Sequence, residues 1–237
     1  MSRRFDATML AGADKPVRRR FAHALAAGAE LAPAVRLRMR GRIRAGVWLP
    51  FTAEQDTARD RFSWRARVEL GPLTLLRVTD RYADGAACTE GRLFGRARLF
   101  GADDEDTVRS AAGRAALEAV AFAPAAVLPG EGVSWRAEDD DLIVASLLIG
   151  PERAEVRVRL GADGALRSVS TMRWGRLPRG GYGYRSCGCD VLAERRFGDL
   201  VVPCEVTVAW DWPGAAPFFR AQVSDLAAAT TSWPPSS

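Results

Sequence analysis

Glu118 and Arg114 come nearest to a chemical site in this chain. They stand four apart in the run Asp106 to Pro129, DTVRSAAGRAALEAVAFAPAAVLP. There Val108, Ala111, Ala112, Ala115, Ala119 and Phe122 recur at helical spacing and predict a helix, with Asp106 as its N-cap and Pro124 as its stop. At ~100° of rotation per residue, Glu118 lies about 60° from the centre of that apolar stripe, on the rim of the buried face. A carboxylate so placed could meet the polar end of a ligand. With its pKa raised by burial it could instead serve as an acid or base. The plainer alternative is an i,i+4 ion pair with Arg114. Asp80 and Arg81, just before a tight turn, are further partners for either role.

Other chemistries find less support. Cys187-Gly188-Cys189 with Asp190 is the one metal-like cluster, yet zinc sites usually space their paired cysteines more widely and need four ligands. His23 is the only histidine, so no metal is expected. There is no G-x-S-x-G elbow, P-loop or dinucleotide fingerprint, and no cofactor is expected. Arg36, Arg38, Arg40, Arg42 and Arg44 line one face of one strand, with Arg65, Arg67, Arg157 and Arg159 on similar faces of others. Such a face is either a solvated outer surface or one that meets an anionic membrane or an acidic partner. Nucleic acid is disfavoured, because Phe62 and Trp64 read as inward-facing and leave no exposed stacking platform.

The elements that would position these residues are mostly strands. Val35, Leu37, Met39, Ile43, Ala45 and Val47 alternate with the arginines from Val35 to Val47. Phe62 to Leu70 alternates in the same way, Pro72 separates it from Leu73 to Tyr82, and Asp84-Gly85 turns into a strand near Ala86 to Leu99. Beyond the long helix, strands are expected at Val133–Glu138, Leu142–Ile149, Arg153–Leu160, Leu166–Trp174, Val191–Phe197, Leu200–Trp210 and Phe218–Asp225. A Gly-, Pro- and Arg-rich loop precedes Val191. Pro16 to Gly28 reads as a short helix. The expected organisation is a flexible leader over 1–15, a single domain over 16–226 and a disordered tail over 227–237. About ten sequential strands and one long helix cannot bury a flat sheet, so the sheet must curl. The fold class is therefore mainly β: a strongly curved antiparallel half-barrel or open barrel, the helix covering its concave face.

Basic and acidic residues number 34 and 29 in 237, and Lys15 is the only lysine. No run of 18 apolar residues suggests a membrane-spanning helix, and the first twenty residues hold no signal-peptide core. A cytoplasmic location with reduced Cys88, Cys187, Cys189 and Cys204 is the expectation.

Six segments together resemble a bacterial domain family of unknown function. They are KPVRRRF from Lys15, WLPFTAEQ from Trp48, FSWRARV from Phe62, TDRYADGAA from Thr79, GRAALEAVAFAPAAVLP from Gly113 and FGDLVVPCEVTVAW from Phe197. The resemblance spans Lys15 to Leu226 and implies an architecture similar to the curved-sheet lipoprotein carriers of the LolA/LolB type. The chain departs from the family pattern at Ala121 and the small run Ala123 to Ala126, where bulkier residues are expected. That implies a wider cavity mouth or a looser helix contact. The resulting expectation is a non-enzymatic carrier or sensor of an apolar or lipid-like ligand held between sheet and helix. Leu37, Met39, Phe62, Trp64, Val206 and Trp210 would form the apolar wall, with Glu118, Arg114 and Asp80 at the polar end. The alternatives are an enzyme using Glu118, or an interaction module using the arginine face.

Overall fold

Strand order dictates where the long helix must lie. The computed structural model describes residues 3–71, 73–150 and 152–229. Its strands are β1 (Ala34–Ala45), β2 (Val47–Ala58), β3 (Phe62–Leu70), β4 (Leu73–Ala83), β5 (Ala86–Leu93), β6 (Ala97–Ala102), β7 (Val133–Ala137), β8 (Leu142–Ile149), β9 (Glu152–Leu160), β10 (Leu166–Arg176), β11 (Tyr182–Phe197), β12 (Leu200–Trp210) and β13 (Phe219–Ala228). They form one 13-stranded sheet in the order β6-β5-β4-β3-β2-β1-β13-β12-β11-β10-β9-β8-β7. Every pairing in it is antiparallel. The chain thus meanders to one edge at β6 and resumes at the opposite edge with β7. The helix α2 (Glu105–Phe122) is the link between those edges, so it crosses the concave face of the curled sheet.

Helix α2 touches β2, β4 and β5 of one arm and β8, β9, β10 and β12 of the other. Ala112, Ala115, Ala116, Ala119 and Ala121 are fully buried, and Leu117, Val120 and Phe122 nearly so. Burial extends round more of the helix than the expected single stripe, because the arms wrap it. They approach each other where Tyr82 of β4 meets Gly150, in the turn between β8 and β9. A Cβ on Gly150 would lie 2.2 Å from the Tyr82 hydroxyl. Gly41 marks a second close approach, since its Cβ would sit 1.9 Å from the Arg220 carbonyl oxygen on β13.

Several sequence expectations are corrected. The N-cap of α2 is Asp104, whose carboxylate accepts from the Thr107 N–H at 2.8 Å. Asp106 instead accepts from the Trp174 indole at 2.7 Å. The short helix α1 runs only Lys15–Ala24, because Leu25 is already extended. Among the described residues, thirteen strands replace about ten. The segment from Val47 is a separate strand, β5 and β6 divide the run near Ala86 to Leu99, and β11 takes in Tyr182–Cys189, read as loop. Within the segment read as a leader, Phe5 and Leu10 pack into the core, and the Phe5 N–H donates to the Ala29 carbonyl at 2.8 Å. The tail from 230 onward lies outside the described residues.

Candidate functional site

A polar cluster lies under α2 on the concave face. Arg114 donates to Glu118 at 2.6 Å and also to Asp80 on β4. Gln55 on β2 donates to the second oxygen of Glu118 at 2.8 Å, and the same amide donates to Thr57. Thr89 on β5 completes the Asp80 carboxylate at 2.8 Å. The Arg114 guanidinium lies 4.4 Å from the Phe62 ring centroid and 5.6 Å from that of Trp64. A cation over two aromatic faces, bridging two carboxylates, is held from every side.

Burial pushes the Glu118 carboxyl above its ordinary range, and the Arg114 charge only partly counters this. Burial also opposes the Arg114 charge, but Glu118 and Asp80 outweigh it and raise its pKa. Both Glu118 oxygens are bonded, so the cluster ties helix to sheet. Nearby on β10, Arg173 donates to the Ser110 carbonyl at 2.9 Å and fixes the first half of α2 in the same way. Burial raises the Cys187 and Cys189 thiols, which favours their protonated form. Among the described residues, no three His, Cys, Asp or Glu side chains are grouped to hold a metal ion.

The structure therefore brings Glu118, Arg114, Asp80, Phe62 and Trp64 together. Leu37 and Met39 lie in the surrounding core, buried like Phe62 and Trp64. Trp210 is half-buried, stacked near Phe218 and Arg173. Val206 lines a groove of about 620 Å³ with Arg40, Arg42, Leu192, Glu205 and Arg220. Part of the arginine-rich face is answered on the sheet itself. Arg36 pairs with Asp56 at 2.6 Å, Arg38 with Glu54 at 3.2 Å, and Arg65 with Asp56 at 3.3 Å. Arg157 pairs with Glu138, and Arg159 with Asp141.

A second open space lies at one end of α2. A cavity of about 600 Å³ is bounded by Leu31, Pro33 and Ala58, by Arg59 to Arg61 in the β2–β3 turn, and by Ala125, Ala126 and Leu128 to Glu131 after the helix. Arg3 completes the wall. Pro124–Val127 forms a 3-10 turn there, and its small side chains leave the gap that bulkier residues would fill. The Arg59 guanidinium donates to the Glu131 carbonyl at 3.0 Å and ties the two sides together. Sequence reasoning had signalled the small run Ala123 to Ala126 but not the charged residues facing it.

A model for a family of unknown function, DUF6544, matches residues 3–221. The chain belongs to this family. No curated protein matches it. Among solved structures, this DUF6544 protein is similar to a putative outer membrane lipoprotein-sorting protein domain from Vibrio parahaemolyticus (TM-score 0.49, 10% identity, covering 97% of this chain and 96% of that one). It is also similar to a DUF1329 family protein from Desulfovibrio piger (0.48, 6%, 82% and 85%). A third is a LolA superfamily protein from Nitrosomonas europaea (0.45, 8%, 89% and 90%). The half-barrel assignment rests on the strand order and register described above.

Proposed function

We propose that this DUF6544 protein is a non-enzymatic carrier or sensor of an amphipathic, lipid-like molecule, taken up at the end of the half-barrel beside the turn that follows α2. The observation that carries this reading is the 600 Å³ cavity there. Leu31, Pro33, Ala58, Ala125, Ala126 and Leu128 supply apolar wall, and Arg3, Arg59 and Arg61 bring positive charge to a rim that also holds Asp60, paired with Arg61, and Glu131. Its size suits a small-molecule site, in which apolar lining buries the bulk of the ligand and a few polar groups orient it. An acyl chain would lie on the apolar wall and an acidic head would face the arginines. The polar cluster around Glu118 then acts as a tether that holds α2 in place, not as the contact for the headgroup.

A titration with a fluorescent fatty acid tests this. Saturable binding is expected, weakened about tenfold by Ala126→Trp, which fills the cavity with a bulky ring. Undiminished binding in a folded Ala126→Trp protein would remove the ligand from this site.

A further inference from the structure

Antiparallel register lines up four arginines across one arm of the sheet. Arg67 of β3 stands opposite Arg77 of β4, Arg77 opposite Arg92 of β5, and Arg92 opposite Arg98 of β6. Directly opposed residues share a face with Cβ atoms about 5 Å apart, and like charges in such pairs are destabilising. All four are exposed. Arg92 alone has a carboxylate partner among the described residues, Glu90 at 2.5 Å. Glu69, two residues along β3 from Arg67, is the other acidic side chain near this row. Elsewhere on the outer face Arg36, Arg38, Arg65, Arg157 and Arg159 are matched by Asp56, Glu54, Glu138 and Asp141, whereas Arg42 of β1 stands opposite Arg220 of β13. Stability alone does not account for a row of like charge that runs across four successive strands.

A second observation lies beside the first. In a meander every other turn falls at the same end, so the β1–β2, β3–β4 and β5–β6 turns are neighbours. At that end Val47 is 66% exposed, Leu73 61% and Phe94 61%. Leu99, next to Arg98 on the edge strand, is 60% exposed. The Phe94 N–H donates to the Leu75 carbonyl at 2.8 Å, which holds the tip of that hairpin against β4. The arm therefore ends in large apolar side chains, with a row of guanidinium groups directly behind them.

We infer that this arm docks on an anionic phospholipid bilayer, with Leu73, Phe94 and Leu99 entering the interface and Arg67, Arg77, Arg92 and Arg98 meeting the lipid phosphates. Aliphatic and aromatic side chains gain by leaving water at a bilayer surface, while basic ones are drawn to its negative charge. Charge complementarity selects this occupant over a second copy of the chain, which would set the same arginines against each other. Nucleic acid would use the arginines but leave the leucines without a role. The inference stands on this arm alone and does not require that the cavity hold a ligand.

Vesicle flotation of the full chain tests it. Binding is expected to vesicles of equal parts phosphatidylcholine and phosphatidylglycerol, and not to phosphatidylcholine alone. Leu73→Ser combined with Phe94→Ser, and separately Arg77→Gln combined with Arg92→Gln, should each weaken binding about tenfold. The second pair should also leave the melting temperature unchanged or raised, because it relieves an opposed like-charge row. A protein that stays at the bottom of the gradient with the anionic vesicles overturns the inference, as does equal flotation of the variants. So does a dimer in light scattering that dissociates on Leu73→Ser with Phe94→Ser, or capture by duplex nucleic acid in preference to the vesicles.

Discussion

At the scale of single residues, the molecule turns on Arg114. It links a carboxylate on its own helix to one on β4 while covering Phe62. Arg114→Met should therefore leave two largely buried carboxylates uncompensated and lower stability by about 3 kcal/mol, read from urea denaturation. A loss below about 0.5 kcal/mol would mean the cluster is effectively solvated. Glu118 adds a pH signature. Its folded-state pKa is raised by burial, so the native protein holds that proton more tightly than the unfolded chain does. Its contribution to stability is present at low pH and falls as pH rises from the ordinary carboxylate value, about 4, through the folded value. Glu118→Gln should flatten that decline, and parallel stability curves for the two proteins would count against it. Arg114, Glu118 and Asp80 were legible because helical spacing and a turn placed them. Gln55 was not, because it lies in the stretch Gln55 to Ala58, where every residue is buried and alternation is lost.

At the scale of elements, closure of the arms round α2 depends on positions where no side chain fits. Gly150 has φ +54° and faces the Tyr82 hydroxyl. Gly150→Ala should cost about 2 kcal/mol through both the backbone and the clash. Tyr82→Phe should be neutral or stabilising by about 1 kcal/mol, since the buried hydroxyl has no hydrogen-bond partner among the described residues. Thermal melts of the two variants should move apart, and a destabilised Tyr82→Phe would point to an unseen partner for that hydroxyl. The strands that sequence reading missed share a cause. β6 is exposed along almost its whole length, and β11 opens on Tyr182, Gly183 and Tyr184. Neither shows the half-buried alternation that marks β1 or β9. The N-cap was misplaced by two residues because Asp103, Asp104 and Asp106 are interchangeable in pattern and only the bond to Thr107 separates them.

At the scale of the whole molecule, the half-barrel was legible because many strands and one long helix leave few ways to bury a sheet. The location of its free space was not. The interior positions expected to line a ligand wall, Leu37, Met39, Phe62 and Trp64, are buried in the hydrophobic core. Space opens instead in the groove beside Val206 and where the chain leaves α2 through Ala125 and Ala126. Ligand uptake at that mouth is the central claim, and native mass spectrometry of freshly purified protein, with solvent extraction of whatever co-purifies, tests it most directly. The account predicts a lipid-like adduct on the wild-type chain that is lost from Ala126→Trp. A wild-type protein that carries nothing and takes up no added fatty acid, or an adduct equally present in Ala126→Trp, would contradict it.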